Sequence, residues 1–308
     1  MDAFKSWNNT AKFLILAKKG ANLKKILLII CLMCACFAEN PQREIIVVSL
    51  PMQKEFVEKI AGGAFEVVSL VESGVNPHDF EPKVSMIKKV NSAIAYFAIG
   101  IEFEDIWLKK FKAQNPKMQI FNTQDGILKI DFTHKEHNHH DHDEHEHSDG
   151  DTHIWLSAKN AKMIAKNIFE GLQAIKQDSN FRENYEKLEA DIVSIDKELK
   201  NILSVLPKGQ KFVVFHPMLG YFARDYDLEE IAIEVEGKSP KMQEMIKVIK
   251  EIKHDNLKVI FAQPEFSTKA AEFIAKESRA RLGYFSPLKT PWGENLIEFA
   301  KELVRLQK

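Results

Sequence analysis

Short apolar runs alternate with amphipathic stretches along the chain from residue 44 onwards. Most of the runs are continuous rather than alternating in polarity, which is typical of strands in a parallel sheet that is covered on both faces. The runs are residues 45–50, 67–71, 93–99, 118–121, 212–215, 231–235 and 259–262. Segments with helical periodicity lie between and after them, at residues 52–60, 84–90, 103–111, 240–253, 269–277 and 295–306. This alternation predicts an α/β fold with crossover helices.

One segment departs from this alternation. Apolar residues with a regular helical spacing form a single stripe, at positions 181, 185, 188, 192, 195, 199 and 202. Asp178 supplies a capping residue before the stripe and Pro207 follows it, so the pattern predicts a helix over 180–206, roughly 39 Å long at about 1.5 Å per residue. A coiled-coil arm is one interpretation. A connector between two halves of the protein is more economical, because βα units lie on both sides.

Residues 1–38 differ in composition from the rest of the chain. They hold six lysines and one acidic residue, although the formal net charge of the whole chain is −1. Lys24 and Lys25 precede an apolar run over 26–38 that holds all three cysteines. This pattern predicts a signal peptide, and the run is too short to span a membrane comfortably. Cleavage after Ala38 is the preferred interpretation, and lipid attachment at Cys36 is the alternative.

The composition of the predicted mature chain excludes some kinds of metal site and some kinds of binding partner. Without residues 1–38 it has no cysteine, so neither disulfides nor thiolate metal sites are available. The remaining residues are mildly acidic in total, which argues against binding to nucleic acid. We therefore expect an exported globular protein with no membrane span after processing.

Histidine is concentrated in the segment 131–151. No apolar residue follows Phe132 within it, so the segment is predicted to be a loop. Imidazole and carboxylate side chains are ligands for Zn, Cu or Ni, and without fixed geometry they predict weak, exchanging metal sites. A solvated acidic insertion is the plainer interpretation, which seven histidines in fourteen positions disfavour. These histidines are His134, His137, His139, His140, His142, His145 and His147.

Four further histidines stand alone in the sequence. His254 lies among charged residues at the end of a predicted helix, where a surface position is expected. His78, His153 and His216 each occupy a turn next to an apolar run. Ligands of open α/β sheets collect outside the carboxyl ends of the strands, where such turns meet. These three residues are therefore the candidate ligands of a metal site.

The stretches around these histidines resemble a known family. They read 71-VESGVNPHDFEP-82, 151-DTHIWLS-157 and 215-FHPMLGYFARDYDL-228. The chain resembles the zinc-type branch of the cluster A-I metal-binding proteins, which are solute-binding proteins of bacterial ABC importers. The resemblance implies two Rossmann-like domains with parallel sheets, joined by the long rigid helix. It implies a first lobe over 39–179 with the His-rich loop 131–151, the helix over 180–206 and a second lobe over 207–308.

The resemblance also implies a function. A member of this family would bind zinc in the cleft between its lobes, through His78 and His153 of the first and His216 of the second. It would be a periplasmic monomer without enzymatic activity that delivers Zn²⁺ to an inner-membrane ABC permease. Three imidazoles favour zinc over manganese, which prefers carboxylate oxygen, while copper and nickel also bind imidazole. Manganese is the alternative metal.

The chain departs from the family pattern at the fourth ligand. Ser286 stands where the family commonly has an Asp before Pro-Leu, and Gln263 stands where it has a Glu before Pro. A neutral hydroxyl is a poor zinc ligand, which leaves water, a mobile acidic residue or a tract histidine as candidates. Three histidines with water also occur at hydrolytic zinc sites. A zinc hydrolase and a periplasmic zinc buffer are therefore the alternatives to transport, although the sequence has no HExxH or GxSxG motif.

Overall fold

Two parallel four-stranded sheets form the framework of the protein. The computed structural model describes residues 43–130, 150–234 and 240–307. From Glu44 onwards the chain forms one compact unit. The strand order is β2-β1-β3-β4 in the first sheet and β6-β5-β7-β8 in the second, so the same order is used twice. The strands are β1 (Ile45–Val48), β2 (Glu66–Ser69), β3 (Ala93–Ala98), β4 (Gln119–Asn122), β5 (Gln210–Val214), β6 (Leu228–Ala232), β7 (Val259–Ala262) and β8 (Arg281–Tyr284).

Helices connect the strands of both sheets. The first lobe, residues 45–175, contains the first sheet and four helices, and the second lobe, residues 210–307, contains the second sheet and the last four. The helices are α1 (Pro51–Ala61), α2 (Val84–Asn91), α3 (Glu102–Gln114), α4 (Ala158–Ile175), α5 (Ser179–Leu203), α6 (Gly220–Asp225), α7 (Met242–His254), α8 (Lys269–Ser278) and α9 (Trp292–Gln307). A 3₁₀ turn at Ile154–Leu156 precedes α4. The predicted α/β fold with parallel sheets is confirmed.

The long helix α5 contacts both lobes, as a connector between them requires. It packs against α1 and α4 of the first lobe and against α9 of the second. The Asp178 side chain accepts a hydrogen bond from the Asn180 backbone N–H and caps the start of the helix. The helix ends at Leu203, earlier than the predicted residue 206. A turn closed by the Leu206 N–H on the Leu203 carbonyl follows, because the residue before Pro207 is disfavoured in helical geometry.

A pair of tryptophans ties the two lobes together. The Trp155 indole N–H of the first lobe donates to the Pro287 carbonyl of the second at 3.0 Å. In return, the Trp292 indole N–H donates to the Trp155 carbonyl at 2.8 Å. The Trp292 ring also meets Phe56 edge to face, with centroids 5.5 Å apart. One apolar core therefore runs through both lobes, and moving one against the other would have to break these contacts.

Some elements were not predicted or begin elsewhere. Strand β8 carries an exposed residue at each end, Arg281 and Tyr284, so no continuous apolar run marks it. Helix α4 was not among the predicted segments. Strand β6 begins three residues before the predicted run over 231–235 and ends within it. The helix predicted from Pro240 begins at Met242, because Lys241 is extended and its N–H donates to the Glu244 carboxylate at 2.6 Å.

Three predicted features lie outside the described residues. These are the signal peptide over 1–38, most of the His-rich loop over 131–151, and the end of the predicted strand over 231–235. Within the described ranges, the helices lack the combination of length and apolar composition that crossing a bilayer requires. The division into domains with the boundaries given above stays a prediction.

Candidate metal centre

Three loops bring the isolated histidines to one place. His78 lies between β2 and α2, His216 follows the end of β5 by two residues, and His153 directly precedes the 3₁₀ turn. The His78 backbone N–H donates to the Asn76 side-chain oxygen at 3.0 Å. The His153 N–H donates to Asp151 Oδ1 at 2.8 Å. These short-range hydrogen bonds fix the turns that carry the two side chains of the first lobe.

The imidazole rings converge through the same ring atom. His78 Nε2 lies 3.2 Å from His153 Nε2 and 3.0 Å from His216 Nε2. One ligand atom of each residue lies within 4.8 Å of those of the other two. The His153 side chain is 2% exposed, that of His216 is 10% and that of His78 is 20%, so the centre opens to solvent on the side of His78. Residues 78 and 153 belong to the first lobe and residue 216 to the second.

A carboxylate holds the other nitrogen of each ring. His78 Nδ1 lies 3.0 Å from Glu102 Oε2. The same atom of His153 lies 2.8 Å from Asp151 Oδ1, and that of His216 lies 2.7 Å from Glu234 Oε2. When Nδ1 carries the proton, the Nδ1–H group donates a hydrogen bond to the carboxylate. The lone pair on Nε2 then faces the centre. None of these three acids was predicted as part of the site, although Asp151 stands only two residues before His153.

The charges around the centre favour a metal cation. Burial lowers the pKa of His216 to about 4, against the opposing hydrogen bond to Glu234. Burial raises the pKa of Glu102, but the hydrogen bond and the charge of His78 outweigh it, so the pKa falls to about 2. Near neutral pH, the His216 imidazole is therefore neutral and the Glu102 carboxylate ionised. A neutral imidazole is the form that binds a metal ion.

Aromatic rings enclose the histidines on two sides. The Phe266 ring stacks on His216, with centroids 4.5 Å apart and an interplanar angle of 21°. The Trp155 ring lies 5.3 Å from that of His153. Gln263 exchanges two hydrogen bonds with the backbone of His216, at 3.2 and 3.0 Å. These contacts fix the rings in place and limit the access of water, which strengthens the electrostatic attraction of a cation.

Ser286 has an acidic partner that the family pattern did not indicate. Its hydroxyl donates a hydrogen bond to Glu265 Oε1. An acidic side chain therefore lies beside Ser286, although neither family position itself holds an acid. Burial raises the pKa of Glu265 above its ordinary value, against lowering contributions from the Ser286 hydroxyl and the Gly74 backbone.

The other predicted histidines are not part of this cluster. His254 is exposed at the end of α7, with Nδ1 2.7 Å from Asp255 Oδ1, in keeping with its expected surface position. Within residues 43–130, 150–234 and 240–307, only the three-histidine group brings three or more metal-ligating side chains so close. The seven tract histidines lie outside these residues: His134, His137, His139, His140, His142, His145 and His147.

The sequence profile of one protein family matches residues 46–305 of the chain, and it is described as ZnuA, zinc-uptake complex component A, periplasmic. The chain belongs to the ZnuA family. This membership agrees with the resemblance noted in the sequence.

Relatives and solved structures of the ZnuA family cover the chain to different extents. The high-affinity zinc uptake system protein ZnuA of Bacillus subtilis is 28% identical over 300 residues, which are 93% of this chain and 90% of that protein. Zinc-binding protein AdcA of Streptococcus pyogenes is 28% identical over 252 residues, 76% of this chain and 48% of AdcA. The chain thus spans about half the length of the AdcA relatives it matches.

A solved structure agrees with the fold described above. The crystal structure of a ZnuA deletion mutant with zinc bound superposes with a TM-score of 0.77 at 36% identity. The match covers 86% of this chain and 98% of that one. Two parallel sheets with flanking helices are therefore the architecture of the family.

Proposed function

We propose that this protein captures Zn²⁺ outside the cytoplasm and delivers it to an ABC-type permease. The observation that carries the proposal is the convergence of three Nε2 atoms, each on a ring whose Nδ1 contacts a carboxylate. His78, His153 and His216 are the proposed ligands. The names of the ZnuA and AdcA relatives support zinc as the transported ion.

The zinc-type assignment is favoured over manganese by the donor atoms. Three nitrogen donors suit the borderline Zn²⁺ ion, whereas Mn²⁺ prefers oxygen. We further propose that the mature protein is a periplasmic monomer, released by cleavage of the predicted signal peptide over 1–38 and not lipid-anchored. A transport role requires no chemistry at the bound ion, and we propose no enzymatic activity.

Metal analysis of the purified protein tests this proposal. We expect one tightly held zinc per chain in protein prepared without added metal. A chain that is isolated empty and takes up several ions weakly would instead favour a periplasmic zinc buffer.

A matched pair of histidine variants assigns the ligands. His216→Ala removes one of three protein donors and the only one from the second lobe. We expect zinc affinity to fall by more than about a hundredfold, beyond the loss typical of removing a group that only orients a ligand. His254→Ala, which removes an exposed imidazole from the same lobe, should retain the affinity of the unmodified protein. Competition with a chromophoric chelator measures both. Equal affinities in the two variants would contradict the assignment.

A further inference from the structure

A hydroxyl–carboxylate pair, Ser286 and Glu265, adjoins the part of the centre that belongs to the second lobe. The Ser286 hydroxyl donates to Glu265 Oε1. Phe266, the residue after Glu265, stacks on the ring of His216 at 4.5 Å between centroids. The chain that carries the carboxylate is therefore in direct contact with one of the three histidines.

The same pair also adjoins the two histidine loops of the first lobe. Pro287, the residue after Ser286, accepts a hydrogen bond from Trp155, whose ring lies 5.3 Å from that of His153. The Ser73 hydroxyl, in the loop that leads to His78, donates a hydrogen bond to the Leu288 carbonyl at 2.6 Å. All three loops that carry a histidine thus contact the segments 263–266 or 286–288.

The pair presents hydrogen-bond acceptors. Ser286 has one hydroxyl proton, and because that proton is donated to Glu265, only lone pairs remain on Oγ. Glu265 Oε2 is buried and has no hydrogen-bond partner among the described residues. A buried acceptor without a partner requires an explanation, and a donor group beside it supplies one. A metal-bound water, with two protons to donate, is such a group.

We propose that the Ser286–Glu265 pair accepts the hydrogen bonds of a water molecule that completes the zinc coordination, and thereby sets the affinity of the centre. This inference rests on the proposed function, since it takes the three histidines as zinc ligands. Zinc in proteins is mostly four-coordinate, so three histidines leave one position for a further ligand. The Glu265 carboxylate orients the water, and its negative charge partly balances the positive charge of the zinc ion. The carboxylate itself does not bind the zinc.

The chain offers a matched control for this pair. Thr268 Oγ1 donates to Glu272 Oε1 at 2.6 Å on the exposed surface of α8, which repeats the hydroxyl–carboxylate chemistry outside the three-histidine cluster. Glu265→Gln keeps the shape and an acceptor oxygen but removes the charge, and Glu272→Gln makes the same change at the control position. Both variants are prepared in the full chain.

Zinc affinity and the visible absorption of the Co²⁺-loaded protein are then measured. For Glu265→Gln, we expect zinc affinity to fall by roughly tenfold or more, as is typical for residues that orient a metal ligand. Its cobalt absorption bands should also shift, because the hydrogen bonding of the fourth ligand has changed. Glu272→Gln should match the unmodified protein in both measurements. A purely structural role of Glu265 would change thermal unfolding of the metal-free protein but not the cobalt spectrum.

A second variant keeps the inference testable if Glu265→Gln does not fold. Ser286→Ala retains the carboxylate and should weaken zinc binding only about fivefold, the loss expected for one hydrogen bond. If Glu265→Gln folds, unchanged zinc affinity together with an unchanged cobalt spectrum would overturn this inference. If it does not fold, the same result for Ser286→Ala would do so. In both cases the proposed function would still stand. Unmodified protein that holds no zinc tightly would overturn the proposed function as well.

Discussion

At the scale of single residues, the centre is built from imidazole–carboxylate pairs. Glu234 lies 2.7 Å from His216 Nδ1, so this ring is oriented before any ion arrives. Such acids fix the tautomer and increase the basicity of the ligand nitrogen. A site held in this way needs little rearrangement on binding, which favours tight capture of a dilute ion.

A second acid near the centre, the partly buried Glu230, stabilises the loop after β5. Its Oε1 accepts hydrogen bonds from the backbone N–H groups of Met218 and Leu219, at 3.0 and 2.8 Å. Burial raises the pKa of Glu230 to about 7, and the nearby charge of Asp151 adds to the effect. The loop that leads away from His216 therefore depends on an acid that ionises with difficulty.

Glu230→Gln should stabilise the protein in mild alkali. The folded pKa lies above the unfolded value of 4.5, so the contribution of Glu230 is fully present below pH 4.5 and is lost as the pH rises through 7. Glutamine keeps the acceptor oxygen without the charge. We expect the free energy of unfolding at pH 8 to rise by about 2 kcal/mol, and by much less at pH 5. Chemical denaturation of the metal-free protein at pH 5 and at pH 8 measures this free energy of unfolding.

The exposed acid Glu272 provides the control for this prediction. Glu272→Gln should show no comparable difference between pH 5 and pH 8, because its carboxylate is solvated in both states. A Glu230→Gln variant less stable than the unmodified protein at pH 8 would mean that the ionised carboxylate is the stabilising form.

At the scale of elements, the contact between α5 and α9 is unusually close at one glycine. A Cβ built on Gly293, in the first turn of α9, would lie 2.2 Å from Ile195 Cδ1 and 3.0 Å from its Cγ1. Ile195 belongs to the apolar stripe that predicted α5. The stripe thus indicated which face of the helix is covered, but not that a glycine would cover it.

Gly293→Ala should destabilise the protein by about 1–3 kcal/mol through overpacking. This is expected even though alanine is the better helix former by about 1 kcal/mol. Ile195→Val removes the nearest atom, so the double variant should be more stable than Gly293→Ala alone. Urea denaturation of the two single variants and the double variant gives the interaction energy. Simple additivity of the two losses would show that the close contact is not the cause.

At the scale of the whole molecule, the ends of the His-rich segment are joined to the centre. The Asp151 N–H donates to the Ile130 carbonyl at 2.8 Å, across the segment 131–149. Tyr221 of the second lobe accepts a hydrogen bond from the Ile130 N–H and donates one to the Asp151 carbonyl. Since Ile130 and Asp151 already meet, the residues between them can be removed without separating these two ends.

Deleting residues 134–147 should leave one high-affinity zinc and remove the weaker sites. His78, His153 and His216 lie outside this range, and ordering it would cost on the order of 1–2 kcal/mol per residue in backbone entropy. Equilibrium dialysis against zinc counts the sites. Loss of the tight site would contradict the assignment of His78, His153 and His216.

The pH dependence of the full chain provides a second check on the deletion. Histidine titrates near pH 6.5, so uptake by the weaker sites should fade in mild acid. Uptake by these sites that is unchanged down to pH 5 would exclude imidazole as their ligand.

The sequence by itself determined the α/β class, the long connecting helix and the three histidine turns. Continuous apolar runs and a helical stripe arise because buried segments need apolar side chains at regular positions. Such patterns can be read directly from the amino-acid sequence. The edge strand β8 was not predicted from the sequence, because its end residues are exposed and polar or aromatic rather than part of an apolar run. Element ends shifted by a few residues, since caps such as that of Lys241 depend on individual hydrogen bonds.

Only the tertiary structure decided which acids contact the three histidines. Glu102 and Glu234 reach their histidines from 24 and 18 residues away, and Ser286 meets Glu265 across 21. No periodicity encodes such pairs, because parallel strands joined by crossover helices bring distant loops to the same edge of a sheet. The histidines could be chosen from their positions in turns, but the acids that orient them and the acceptors beside them exist only after the two lobes have packed around one core.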